Sequence, residues 1–193
     1  KNGGVYNHAQ NGGSLPPGAK TTWESGSTCL ITGVTSTLPS ELAQSFHHFT
    51  WNATGQSTNL NLNAGLTSIG GTFTVASTGS AYLSWVQSVN TNLTTGGYSQ
   101  SGGTFVYTDG TGTGTMDVNG PFSISGGTLR LSNSSGSPKL YVSGSFSQTA
   151  STLFLTQFER MEQECADTTD ARERKACESQ LGPLKATATS HQA

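Results

Sequence analysis

Residues 96–119 read GGYSQSGGTFVYTDGTGTGTMDVN, and residues 120–143 read GPFSISGGTLRLSNSSGSPKLYVS. Set one above the other, they align without a gap. Gly96 falls on Gly120, Tyr98 on Phe122, Gly102-Gly103-Thr104 on Gly126-Gly127-Thr128, and Val118 on Val142. A third copy opens at Gly144 as GSFSQTASTLFLTQ, with Phe146 on the Tyr98/Phe122 position and Leu153 on Phe105/Leu129. Three copies in one register define a unit of 24 residues. Upstream, Gly70-Gly71-Thr72-Phe73-Thr74-Val75 repeats the same words 32 residues before Gly102, a spacing that requires an insertion of eight within Gln87–Thr95. Further back only alternation survives, in CLITGV, HFTWN and NLNLNAGL.

Within a copy the apolar residues come in pairs two apart: Phe122/Ile124, Leu129/Leu131 and Leu140/Val142. Two is the strand period, so each pair is a short strand with one face inward. Gly-Gly-Thr and a polar Gly/Ser/Asn/Pro stretch separate the strands and read as bends. An antiparallel sandwich gives no reason for equivalent positions to recur at a fixed interval, whereas a solenoid stacks them directly. The fold class predicted is therefore all-β, a parallel β-helix of ~24-residue coils with a short C-terminal α-helical appendage. The coils are expected at 29–51, 52–87, 88–119, 120–143 and 144–157.

A solenoid must cover its ends. Residues 1–28 are expected to form an irregular N-terminal cap, with Tyr6, Leu15 and Trp23 over the first coil. Residues 29–157 form the solenoid, and 158–193 a charged tail. Within the tail Phe158, Met161 and Cys165 recur at helical spacing, and Asp170 would cap a second helix ending before Gly182-Pro183. One or two amphipathic helices over 158–181 would cap the stack, pair protomers, or belong to a foreign segment.

Charge supports the boundary near Gln157. Residues 1–157 carry four acidic and four basic side chains, and the last 36 residues carry the other seven and five. Only 10% of residues are charged and the net charge is −2, without a basic patch, which gives no support to nucleic-acid binding. No apolar run approaches the roughly 18 residues of a membrane span. No signal-peptide pattern opens the chain, as in a mature secreted form. Of three cysteines, Cys165 and Cys177 would pair and leave Cys29 alone, or all three stay reduced.

The opening elements Tyr6/His8, Gly12-Gly13, Trp23 and Ile31-Thr32-Gly33, followed by the Gly-Gly-Thr coils, resemble secreted and cell-surface repeat proteins of Bacteroidetes-type bacteria. The resemblance covers roughly residues 3–157. It implies a right-handed parallel β-helix exported across the outer membrane, and it carries no catalytic residues onto this chain. The charged tail departs from the pattern.

Chemistry is sparse. β-Helical enzymes acting on polysaccharides use carboxylate clusters with Ca²⁺, or paired carboxylates. The β-domain holds Glu24, Glu41, Asp109 and Asp117. Asp109-Gly110 reads as a turn and Asp117 as a surface residue, and Asp109 with Asp117 is the candidate metal pair, for Ca²⁺. No other cofactor is implied. His47-His48 would point to opposite strand faces and so not share a metal. GTGTGT at 110–115 lacks the lysine and helix of a phosphate loop.

Aromatics give the candidate ligand-binding residues. Tyr98 and Tyr107 align with Phe122 and Leu131 and are expected inward. Tyr141 lies between Leu140 and Val142 and is expected outward, beside Lys139; Tyr82 and Trp85 lie near the proposed insertion. An ice-binding threonine face needs Thr-x-Thr at one position in every coil and is disfavoured in this register, because Thr72/Thr74 is followed by Thr104/Val106, Thr128/Arg130 and Thr152/Phe154.

The function expected is a non-enzymatic extracellular module, structural, adhesive or polysaccharide-binding. The alternatives are a carbohydrate-active β-helix, lyase or glycoside hydrolase, and an assembly protein that forms homo-oligomers through residues 158–181.

Overall fold

The computed structural model describes residues 2–66, 68–149 and 152–154. Its strands are β1 (Val5–His8), β2 (Thr28–Ile31), β3 (Ser45–Phe46), β4 (His48–Asn52), β5 (Leu60–Asn61), β6 (Ser68–Ser77), β7 (Tyr82–Val86) and β8 (Leu93–Gln100). They continue as β9 (Thr104–Thr108), β10 (Thr115–Val118), β11 (Phe122–Ile124), β12 (Thr128–Ser132), β13 (Lys139–Val142), β14 (Phe146–Gln148) and β15 (Thr152–Phe154). No helix occurs among the described residues. The helical tail expected over 158–193, with Cys165 and Cys177, lies outside them.

Strands pair in parallel with their equivalents one coil on, and the chain winds as a β-solenoid of about six turns. A ten-stranded sheet wraps two faces of the coil. The first half of β8 pairs with β10 and its second half with β11, so β8 carries the chain across the edge between them. The third face is the five-stranded sheet β5-β7-β9-β12-β15.

The register stacks like on like. One inward column of the large sheet runs Tyr6, Cys29, Phe49, Phe73, Tyr98, Phe122, Phe146. On the third face Leu60, Leu83, Phe105 and Leu129 stack likewise. Phe49, Phe73, Phe105 and Leu129 are fully buried. Each such side chain contributes roughly 1.5–3 kcal/mol by leaving water. Tyr98 and Tyr107 are buried, as the alignment predicts.

Two expectations upstream are corrected. Phe73 pairs with Tyr98, an offset of 25 residues (98 − 73), so Gly70-Gly71-Thr72 does not correspond to Gly102-Gly103-Thr104. The insertion does not exist either: 87–92, 109–114 and 133–138 join successive strands with six residues each. The coils at 52–87 and 88–119 are redrawn accordingly. Identical letters misled because the coil uses glycine at two different places. Gly103 and Gly127 occupy a corner at φ 66° and 76°, where a side chain is strained. Gly96, Gly120 and Gly144 instead mark a close approach of main chains, each lying against the carbonyl of the glycine one coil earlier. Gly70 belongs to this second set, since its carbonyl is what Gly96 meets.

At the other end, β1 pairs in register with β2, so the stack already begins at Val5, inside the stretch expected to be irregular. Trp23 packs its ring on Tyr6 (centroids 6.1 Å) and Phe46 (5.0 Å), and its Nε1 donates to Gln44 Oε1 at 2.8 Å. Leu15 is buried.

The two glycine roles give a direct test. A Cβ on Gly120 would collide with the Gly96 carbonyl, whereas one on Gly70 finds its nearest neighbour, the Phe46 carbonyl, at 4.0 Å. Urea unfolding should show Gly120→Ala destabilised by about 1–3 kcal/mol through overpacking. Gly70→Ala should stay within about 0.5 kcal/mol of the parent.

Candidate functional site

Strand alternation assembles one outward patch on the large sheet. In β10, Met116 and Val118 are buried and Asp117 between them is half-buried. In β13 the alternation recurs, with Tyr141 52% exposed and Lys139 exposed. The register places Thr94, Asp117 and Tyr141 in one outward row, and Thr115 beside Lys139 in the next. Adjacent strands lie ~4.8 Å apart, so a phenol ring, a carboxylate, an ammonium and hydroxyls share one small surface. Three sequence candidates, Tyr141, Lys139 and Asp117, therefore meet here. Asp117 is the direct cross-strand neighbour of Tyr141.

Asp109 lies elsewhere, just after β9 at the end of the third face. Its Oδ2 accepts from the Tyr82 hydroxyl at 2.5 Å, and its Oδ1 accepts from Asn133 Nδ2 at 2.9 Å. Arg130 Nη1 donates to Asn133 Oδ1 at 3.0 Å and extends the chain of contacts. The network links three coils, through Tyr82, Asp109 and the Arg130/Asn133 pair. Burial and the bond to Asp109 push the Tyr82 phenol up to about 12. A general base working near neutrality needs a shift in the opposite direction. This cluster is a clasp between coils, and Asp109 belongs to it, while Asp117 lies on β10 of the large sheet. Among the described residues, no three His, Cys, Asp or Glu side chains gather as a metal site would require.

Trp85 is 1% exposed and points inward, where no ligand reaches it. Its Nε1 has no hydrogen-bond partner among the described residues. Cys29 stands in the aromatic column, and burial pushes its thiol up to about 12, so it is chemically quiet.

The adjacent histidines differ from expectation. His47 falls between β3 and β4, at a bend, and the two rings touch edge to face with centroids 4.3 Å apart. They do not point to opposite faces. The Thr72 N–H donates to His48 Nδ1 at 2.9 Å, a bond between coils that sequence reading did not reveal. Gln100 was missed as well. It is fully buried, accepting from the Tyr98 hydroxyl (2.7 Å) and donating to the Gly103 and Thr128 carbonyls (3.1 and 2.9 Å).

The fold thus defines the class, a parallel β-solenoid with a small aromatic–charged patch on one face. Compared with known proteins, the chain matches no family model, no curated protein and no solved structure.

A pH test follows from His48. Desolvation, and secondarily the charge of His47, lower its pKa from the ordinary 6.5. The folded state then prefers neutral His48, so stability is complete above 6.5 and declines as pH falls toward the folded value. Protonated Nδ1 also cannot accept from Thr72. Urea midpoints measured from pH 7.5 to 5 should fall more steeply for the parent than for His48→Asn.

Proposed function

We propose that the chain is a non-enzymatic, extracellular β-solenoid module of a bacterial surface protein that binds polysaccharide through the Tyr141 patch. The observation that carries this reading is the exposure of Tyr141. The fold buries Phe49, Trp51, Phe73, Trp85, Tyr98, Phe105, Tyr107 and Phe122, yet leaves this ring 52% open on a strand face. A flat exposed ring stacks on the apolar face of a pyranose, and Lys139, Asp117, Thr94 and Thr115 beside it offer donors and acceptors to sugar hydroxyls.

The location outside the cell rests on the resemblance to secreted repeat proteins. The coil is taken as right-handed, the hand favoured by parallel crossover connections. A stack of coils whose polar groups are largely engaged in holding neighbouring coils together suits a rigid adhesive module better than a catalyst.

A glycan array followed by titration on an immobilised polymer tests the reading. Tyr141→Ala should weaken polysaccharide binding about tenfold, the loss of one stacking contact plus its surroundings. The thermal midpoint should not move, since the side chain supports no core. Turnover of any polymer that disappears in Asp117→Ala would overturn the non-enzymatic reading.

A further inference from the structure

The large sheet has a second outward face, and it differs in kind from the Tyr141 patch. Through β4, β6, β8, β11 and β14 the register stacks Thr50, Thr74, Ser99, Ser123 and Ser147 in one outward column. Toward the first coil the column continues as Leu30, against Thr50, and then Asn7, neither of which carries a hydroxyl. A second column lies two residues on. Asn52 pairs with Ser77 across a bulge, and Ala76 stands opposite Ser101, so a methyl group interrupts the hydroxyls of this column at β6. The N–H groups of Ser101, Ser125 and Thr149 then continue the ladder by donating to the carbonyls of Val75, Gln100 and Ile124 at 2.8–3.1 Å. Asn7, Ser101, Ser125, Ser147 and Thr149 are exposed, and the others in the two columns are half-buried. Neither column contains an Asp, Glu, Lys or Arg, and neither contains an aromatic ring.

The threonine ladder that breaks in sequence is therefore an artefact of register. Thr74 stacks on Ser99, and not on Val106. In the true register the first column sets one hydroxyl after another from Thr50 to Ser147.

We propose that this two-column hydroxyl face binds the surface of ice. Its rungs repeat at about 4.8 Å and its columns stand about 6.7 Å apart. A rectangular net with these periods lies close to the oxygen net on the prism faces of hexagonal ice. The charge argument agrees, because a neutral lattice meets a surface without formal charge that need not be desolvated of ions. Area excludes the ordinary alternative. Five rungs by two columns cover roughly 300–400 Å² with side-chain width, below the roughly 800 Å² that each partner of a stable protein complex buries. A face this small gains affinity only if every rung meets an identical site, as on a crystal. Sugar polymers are disfavoured by the missing aromatic platform, which the Tyr141 patch supplies and this face does not.

The inference does not rest on the polysaccharide reading, and its variants separate the two. The full chain is tested by partition into slowly growing ice and by inhibition of ice recrystallisation. The parent should enter ice and hold grain size constant. Ser123→Tyr places a bulky group at the centre of the face and should raise the concentration needed about tenfold or more. Ser123→Thr and Tyr141→Ala should behave as the parent. Circular dichroism and urea midpoints confirm that each variant is folded. Exclusion of the folded parent from ice would overturn the proposal, as would full activity in Ser123→Tyr combined with Thr74→Tyr. Loss of polysaccharide binding in Ser123→Tyr, with no ice effect in the parent, would assign the face to a polymer and overturn it equally.

Discussion

The structure depends on ring meeting ring between successive coils. Tyr98 and Phe122 lie with centroids 5.2 Å apart at 23°, and Phe122 and Phe146 at 4.9 Å and 9°. These separations match the spacing of neighbouring strands, so identical residues at identical positions stack nearly flat. Upstream the geometry loosens: Phe49 and Phe73 stand 6.1 Å apart at 55°, and Cys29 replaces a ring altogether. The same gradient runs through coil length. Offsets are 24 residues from Phe122 to Phe146 (146 − 122) but 20 from Thr28 to His48 (48 − 28). Stacking is flattest where the length is constant: Phe73 and Tyr98, 25 residues apart (98 − 73), meet edge to face at 74°, whereas the 24-residue steps that follow stack the rings.

Stacking also governs the glycines and the polar interior. When inward columns stack at strand spacing, the bends between strands are pressed together too, and Gly96, Gly120 and Gly144 allow carbonyls to approach where a Cβ would collide. Buried polar side chains then satisfy the main chain at the bends. Gln100 takes the place of an apolar residue between Val75 and Ile124, yet it bonds to Tyr98 and to two corner carbonyls. It closes the groups that the corner would otherwise leave unpaired.

Legibility in the sequence followed the same gradient. From Gly96 onward the ungapped repeat disclosed the coils, the inward Tyr98 and Tyr107 and the outward Tyr141, because alternation and register agreed. Before Gly96 the words Gly-Gly-Thr-Phe occur at a close approach rather than at a corner, and their letters pointed to the wrong partner. β1 escaped notice because four residues, VYNH, are too few to show alternation. The missed contacts share a cause. Tyr82 with Asp109 and Thr72 with His48 lie 27 and 24 residues apart, and only a correct register brings them together.

Register also explains why one fold carries two unlike surfaces. Burial dictates the inward columns residue by residue, since a lost methylene there leaves a cavity. Outward columns are subject to no such demand, and whatever regularity they show is not required by the core. The row of Thr94, Asp117 and Tyr141 is irregular, with three unlike groups in successive coils, as discrete recognition of one ligand needs. The row from Thr50 to Ser147 is regular, with one small hydroxyl per coil, and strand stability does not ask for it, because serine is a poor strand former compared with valine or tyrosine. Uniformity that the core does not impose is a property of the surface itself, and a periodic surface is suited to a periodic partner.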